Sequence, residues 1–164
     1  MTGLGMANGT WEDAEQLVGT VIAEHIGADA VNTPMIRHYL EAFEWDGPGL
    51  EGAPASMYIT FGMPAYWQPG DSTLPENTLA PLAFRLVPCP GSAMIGTEVS
   101  VRFHAPIQVG DILRSTWMLT KLVRKRLKIG DGAFLDFEVR YVNQRDELVA
   151  LESTTVFRYD PEEV

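Results

Sequence analysis

The sequence has one cysteine, three histidines and 12 basic residues among 164. A lone Cys89 excludes an internal disulfide framework and a multi-cysteine zinc site. His25, His38 and His104 stand in no His-x-x-x-His spacing and beside no paired cysteine, so no metal site is expected. Against 22 acidic residues the basic ones leave a formal charge of −10 and a pI near 4.6. Binding a polyanion needs a neutralising cationic surface, so nucleic acid is excluded as the general partner. No apolar run approaches the ~18 residues that span a bilayer. The start Met1-Thr2-Gly3-Leu4-Gly5-Met6 lacks the basic-then-apolar pattern of a leader. Gly47-Pro48-Gly49 has neither the preceding strand nor the lysine of a phosphate loop. What is present is 46% hydrophobic residues, enough for one packed core. A single soluble, cytoplasmic domain over residues 1–164 is expected, with no membrane or nucleic-acid partner.

The order of elements narrows the fold. Residues 1–10 read as a loose terminus, and Trp11 to Leu17 as a short helix. Val18 to Ala23 follows as a strand or an extended approach. Asn32-Thr33-Pro34 is a helix start, and Met35, Ile36, Tyr39, Leu40 and Phe43 then form one stripe at helical spacing. Trp45-Asp46-Gly47-Pro48-Gly49 is a turn signal. Ala53 to Trp67 carries no charge and predicts a helix buried on most sides, stopped or kinked near Pro64. Residues 68–93 hold five prolines and predict an irregular loop, with a short strand near Phe84 to Val87.

The second half is β-patterned. Val99, Val101 and Phe103 alternate with polar neighbours before Ala105-Pro106 interrupts. Ile112 to Val123 and Ala133 to Val142 predict strands joined by a Gly130-Asp131-Gly132 turn. Ala133, Leu135, Phe137, Val139 and Tyr141 alternate strictly, as in a sheet with one packed and one wet face. Asn143 to Asp146 is a further hairpin turn before a closing strand from Glu147 to Tyr159. Helices first and an antiparallel meander after them define an α+β domain. A charge-free helix must be wrapped by that sheet, which predicts a hot-dog fold around a shortened central helix. Its open sheet edge and outer helix surface are liabilities unless another chain covers them, so half of an assembly is expected.

Few residues point to chemistry. His38 reads as a helix-surface or interface residue, and His104 as a partly buried residue at a strand end. Cys89, between Pro88 and Pro90, has no local lysine or histidine to activate it. Gly110-Asp111 reads as a turn before a strand. Asp46 is either a turn residue or a carboxylate raised by an apolar neighbourhood to act as a base. A carboxylate and a histidine together can add or remove water across a double bond, but no histidine follows Asp46 before His104. Lys121, Arg124, Lys125, Arg126 and Lys128 put five basic residues within eight positions. Arg124, Arg126 and Lys128 share one face of a strand and are either an anion site, sized for coenzyme A phosphates, or a charged edge.

Several stretches in order resemble the MaoC-like dehydratases, the enoyl-CoA hydratase 2 superfamily. They are Val18-Gly19-Thr20, the run from Val31 to Tyr39 with Glu41-Ala42, and Ala53 to Met57. Arg102 to Asp111, Lys128 to Phe134 and Tyr141 to Gln144 continue the likeness. It covers roughly residues 15 to 160. The resemblance implies a hot-dog fold, an acyl-CoA or acyl-carrier thioester, reversible hydration of a trans-2-enoyl group and no cofactor. It also implies a catalytic Asp and His in a Gly-Asp-x-Asn-Pro-x-His pattern. Here Glu44-Trp45-Asp46-Gly47-Pro48-Gly49-Leu50-Glu51 keeps the aspartate and a proline, with Leu50 or Glu51 where the histidine belongs.

In this respect the chain is similar to the non-catalytic subunit of heteromeric hydratases, whose catalytic hot-dog partner brings the Asp–His pair. Asp46 with His38 is the fallback for a chain that works alone, as a hydratase or thioesterase. A non-enzymatic lipid binder is the third reading. A helix broken at Pro64 would leave an acyl pocket lined by Met57, Phe61, Met63, Tyr66 and Trp67, large enough for a steroid-like group.

Overall fold

The computed structural model describes residues 6–45, 51–65 and 83–161. Asp46, Pro48, Leu50, Tyr66 and Trp67, and the 68–82 part of the expected loop, lie outside these residues.

The first helix, α1 (Trp11–Gln16), is set by a reciprocal cap. Thr10 Oγ1 accepts from the Asp13 backbone N–H at 3.1 Å, and Asp13 Oδ2 accepts from the Thr10 N–H at 2.9 Å. Those bonds hold the Asp13 carboxyl below its usual range. Strand β1 (Thr20–Ile26) follows, then helix α2 (Thr33–Ala42). Asn32 caps α2 by accepting from the Met35 N–H at 3.0 Å, with Pro34 in the first turn. Of the expected stripe, Ile36 is buried and Tyr39 and Leu40 pack on the core, while Met35 and Phe43 stay exposed.

The charge-free stretch does not form one long buried helix. Its described part is divided into a two-residue strand β2 (Gly52–Ala53), a 3-10 turn (Ala55–Met57) and helix α3 (Tyr58–Gly62). Met63, forced extended by Pro64, ends α3 with ψ 134°. Met57, Tyr58, Phe61 and Gly62 are buried, whereas Ile59 and Met63 are open, so α3 is buried on one side only. Gly62 is required there: a Cβ would lie 2.6 Å from the Tyr141 ring.

Residues 83–85 form a 3-10 turn, where a short strand was expected over 84–87. The reason is the Phe84 ring, drawn inward to sit edge-on to Trp117 at 5.7 Å and Phe137 at 5.8 Å. Strand β3 (Ala93–Phe103) starts inside the segment expected to be loop. A two-residue strand β4 (Ile107–Gln108) pairs with β2, and β5 (Arg114–Leu127), β6 (Gly130–Val142) and β7 (Leu148–Pro161) complete the structure.

The five long strands form one antiparallel sheet in the order β1-β5-β6-β7-β3. The alternating row of β6, from Ala133 to Tyr141, is buried, as its pattern demands. The β5–β6 turn is Lys128-Ile129, and Gly130, Asp131 and Gly132 belong to the strand. These glycines serve close approach: a Cβ on Gly130 would lie 2.0 Å from the Asp160 carbonyl oxygen, and one on Gly132 2.2 Å from that of Arg158.

Two clusters fill the inner face. One packs Met57, Tyr58 and Phe61 on Trp117, Val139, Tyr141 and Ala150. The other packs Ala14, Val87 and Cys89 on Leu119, Leu135, Phe137 and Val156. Phe84 and Ile22 touch both. No helix among the described residues is long and apolar enough to cross a membrane.

Candidate functional site

The inner face of β7 buries two charged side chains. Its alternating row is Ala150, Glu152, Thr154, Val156 and Arg158, and all five are buried. Glu152 is 5% exposed and lies beneath α3. Tyr58, on the first turn of that helix, donates its hydroxyl to Glu152 Oε2 at 2.9 Å, and Tyr141 of β6 donates a second bond. The two rings meet edge-on at 4.8 Å, with Phe103 5.8 Å from Tyr58. Burial pushes the Glu152 carboxyl above its ordinary value, and the two hydroxyls pull it back. Burial first, and then the Glu152 charge, raise both phenols. A buried acid between two phenols is the kind of perturbed group that clusters at functional sites, and it equally ties helix to sheet.

Arg158 has no exposed surface, and each of its three guanidinium nitrogens donates a hydrogen bond. It donates to the carbonyls of Gly91 (3.1 Å), Val87 (2.9 Å) and Ala7 (2.7 Å). It thereby fastens the N-terminal segment and the 87–91 loop to the sheet. Cys89 beside it is buried, and that burial raises its thiol against the opposing pull of Arg158. The thiol is kept in its inert form. Asp111, 1% exposed, accepts from Arg145 Nη1 at 2.8 Å and from the Gln108 N–H at 2.9 Å. It closes the turn expected at Gly110-Asp111, where Gly110 has φ +91°.

The basic cluster follows a register shift between Leu119 and Lys121. Beyond it the parity of β5 inverts: Arg124 opposes Ala133 and Arg126 opposes Asp131 on the helix side, while Lys121 and Lys125 oppose Asp136 and Gly132 on the outer face. Lys128 sits in the turn. The Arg124 guanidinium lies 5.5 Å from the centre of the Trp11 ring, a cation–π contact that places it at the end of α1.

The histidines do not converge. His38 is exposed on α2 with Nδ1 3.3 Å from Glu41 Oε2. His104 is exposed just past β3, where a partly buried position was expected, because the strand's end has already left the core: Arg102 and Phe103 before it are exposed too. His25 lies half-buried in β1 opposite Ser115. Of the expected acyl-pocket residues, Met57 and Phe61 face the core and Met63 is open at the end of α3. No group of three His, Cys, Asp or Glu suited to a metal occurs among the described residues. Sequence reading missed Glu152, Tyr58, Tyr141 and Arg158. The available signal was parity, since Glu152 and Arg158 fall on the same alternation as Ala150 and Val156.

The strand order and the short helix packed on the sheet's inner face define a hot-dog domain. The sequence model described as "FAS1-like, dehydratase domain region" matches residues 16–152, and the chain belongs to that family, as the MaoC-like resemblance implied. It is 27% identical over 159 residues to a protein of Thermomonospora curvata named "Probable enoyl-CoA hydratase alpha subunit". That match covers 88% of this chain and 50% of the relative, so the chain spans about half the length of the curated relative it matches. Among solved structures, a chain of the ChsH1-ChsH2 complex from Mycobacterium tuberculosis is similar at 20% identity and a TM-score of 0.67, over 93% of this chain and 92% of that one. The monoamine oxidase regulatory protein from Archaeoglobus fulgius is similar at 13% identity and a TM-score of 0.57, over 87% and 92%. These two likenesses are of fold.

Proposed function

We propose that this chain is one subunit of a heteromeric enoyl-CoA hydratase, shaping the acyl pocket while a second hot-dog chain supplies the catalytic aspartate and histidine. The observation that carries the reading is the dispersal of acid–base groups: His38 and His104 are exposed on separate elements, and the segment Glu44 to Glu51 has no histidine. Hydration needs a base on water and an acid at the α-carbon within hydrogen-bond reach of one substrate. The relative named as a hydratase alpha subunit and the fold shared with a two-component complex support a divided enzyme.

In this reading Met57, Phe61, Met63, Tyr66 and Trp67 are the acyl-pocket residues, and the early end of α3 suits a bulky, steroid-like group. Arg124 and Arg126 at the far end of β5, with Lys128 in the turn after it, hold the coenzyme A phosphates, which charge-assisted bonds favour. Glu152 with its two tyrosines fixes α3 against the sheet, so that the wall keeps its shape. A CoA-bound substrate suits a cytoplasmic setting.

The test is Asp46→Asn in the assembled enzyme, followed by the loss of enoyl-thioester absorbance. Unchanged turnover is expected, because the reacting carboxylate belongs to the partner. Loss of turnover with the assembly intact would return the chemistry to this chain.

A further inference from the structure

Close contacts on both sides of one exposed residue hold the N-terminal segment. Ala7 donates its N–H to the Arg85 carbonyl at 2.8 Å and accepts from Arg158 Nη2 at 2.7 Å. Gly9 lies so close to Pro88 that a Cβ would stand 2.8 Å from the Pro88 carbonyl oxygen. Thr10 caps α1. Between these contacts Asn8 is exposed, and it lines a hollow of about 330 Å³ with Met6, Gly91, Ser92 and Asp160.

Asn8 differs from the other asparagines of the chain in two ways. It alone is followed by glycine. A glycine has no side chain to screen its own nitrogen, and its backbone turns freely enough to bring that nitrogen onto the preceding carboxamide. The carboxamides of Asn32 and Asn143 are also tied. Asn32 accepts from the Met35 N–H and donates to the Ala30 carbonyl. Asn143 donates to Glu147 Oε2 and accepts from the N–H groups of Arg145 and Glu147. Neither the Asn8 carboxamide nor the Gly9 N–H makes a hydrogen bond among the described residues. Water reaches both through the hollow.

We propose that Asn8 is a site of spontaneous covalent modification in the folded chain, where its side chain closes on Gly9, sheds ammonia and is hydrolysed to isoaspartate or aspartate. The Gly9 nitrogen gives its proton to water or hydroxide and bonds to Asn8 Cγ. The Cγ–Nδ2 bond breaks, and Nδ2 takes up a proton from water and leaves as ammonia. One water then opens the five-membered imide at either carbonyl. Opening at Cγ gives an aspartate side chain on the normal backbone. Opening at the main-chain carbonyl gives isoaspartate, whose backbone runs through Cγ and is one atom, ~1.5 Å, longer. Contacts of 2.7–2.8 Å on both sides of the position leave no room for that length. Ala7 therefore releases Arg158, and the segment lifts from Pro88 and the neighbouring Cys89. Either product also sets a carboxylate in the hollow that holds Asp160, whose Oδ1 accepts from the Ser92 N–H at 3.0 Å. Exposed to water, that repulsion is modest, so the added atom dominates. The site is independent of the proposed hydration, since none of its residues is placed in the acyl pocket.

The experiment ages the full folded chain in mildly alkaline buffer at about 37 °C, beside a guanidinium-unfolded sample, and maps both by tandem mass spectrometry. Asn8 is expected to gain about 1 Da, at no less than about a tenth of its unfolded rate, while Asn32 and Asn143 stay intact. A slower conversion would belong to transiently unfolded molecules and would overturn the proposal, as would conversion of Asn32 or Asn143 as fast as Asn8. The release of the segment is read at Cys89, the sole thiol, which is 0% exposed. Aged chain rich in isoaspartate should react with a maleimide about tenfold faster than fresh chain. Asn8→Gln, whose closure needs a six-membered ring, should keep the fresh rate after the same ageing. Fresh Asn8→Asp adds the charge without the extra backbone atom and should label within a few-fold of the fresh native chain. Equal labelling of aged and fresh native chain, aged Asn8→Gln labelled as fast as aged native chain, or fresh Asn8→Asp labelled that fast would each overturn the release.

Discussion

Tyr58→Phe removes one oxygen from a buried site and leaves the rest of its packing in place. The ring still meets Tyr141 at 4.8 Å and Phe103 at 5.8 Å, and only the 2.9 Å bond to Glu152 is lost. A hydrogen bond to a charged group contributes about 1.5–3 kcal/mol, and Tyr141 remains as a second donor, so a loss of about 2 kcal/mol is expected. For a domain of this size that lowers Tm by roughly 4–8 °C. The loss should depend on pH in a definite direction. The folded Glu152 carboxyl titrates above its unfolded value, because burial outweighs its two donors. Between those two values the folded state holds a proton that the unfolded chain has released, so native stability falls as pH rises through the window. Without the Tyr58 hydroxyl the carboxyl moves higher still, and the variant loses stability over a wider range. The gap between variant and native is therefore largest near neutral pH and shrinks toward the ~1 kcal/mol of a neutral bond in acid. Guanidinium melts followed by circular dichroism at neutral pH, and again at about pH 5, measure it. A gap below ~0.5 kcal/mol at neutral pH, or one that grows on acidification, would refute the account of Glu152 as an ionisable tie beneath α3.

Other outcomes follow from the same geometry. Arg158→Met strips three carbonyls of their donor and should lower stability by about 3 kcal/mol or more, with faster proteolysis of the N-terminal segment and of the 87–91 loop. Gly130→Ala drives a Cβ into the Asp160 carbonyl at φ +148° and should lose more than ~2 kcal/mol, measured by thermal melting. Arg126→Glu with Lys128→Glu should weaken coenzyme A ester binding by about tenfold at low salt, with a smaller difference at high salt, as read by calorimetry.

Much of the architecture was legible because one face of the sheet is buried. Strict alternation from Ala133 to Tyr141 identified the central strand, and the resemblance in the correct order gave the hot-dog fold. Local signals failed where tertiary contacts overrode them. Gly130 and Gly132 look like a turn, but their missing Cβ atoms admit the β7 backbone. The apolar run after Ala53 looks like one buried helix, yet Pro64 ends it after a single α-helical stretch, and the sheet covers only one side. Alternation put Arg124 and Arg126 on one face, but only the register shift at Leu119/Lys121 decides that this is the helix side, and Lys128 falls in the turn beyond the strand. Glu152 was invisible as chemistry because a lone glutamate in a β-pattern carries no motif. Its significance depends on Tyr58 and Tyr141, which are 94 and 11 residues away in sequence. Asp46, the residue on which the sequence argument about catalysis turned, lies outside the described structure.

The most direct measurement is the hydration of a trans-2-enoyl-CoA by the purified chain, first alone and then with a second hot-dog protein that carries Asp and His. The account predicts background turnover by the chain alone and full turnover on reconstitution. Substantial hydration by the isolated chain would contradict it.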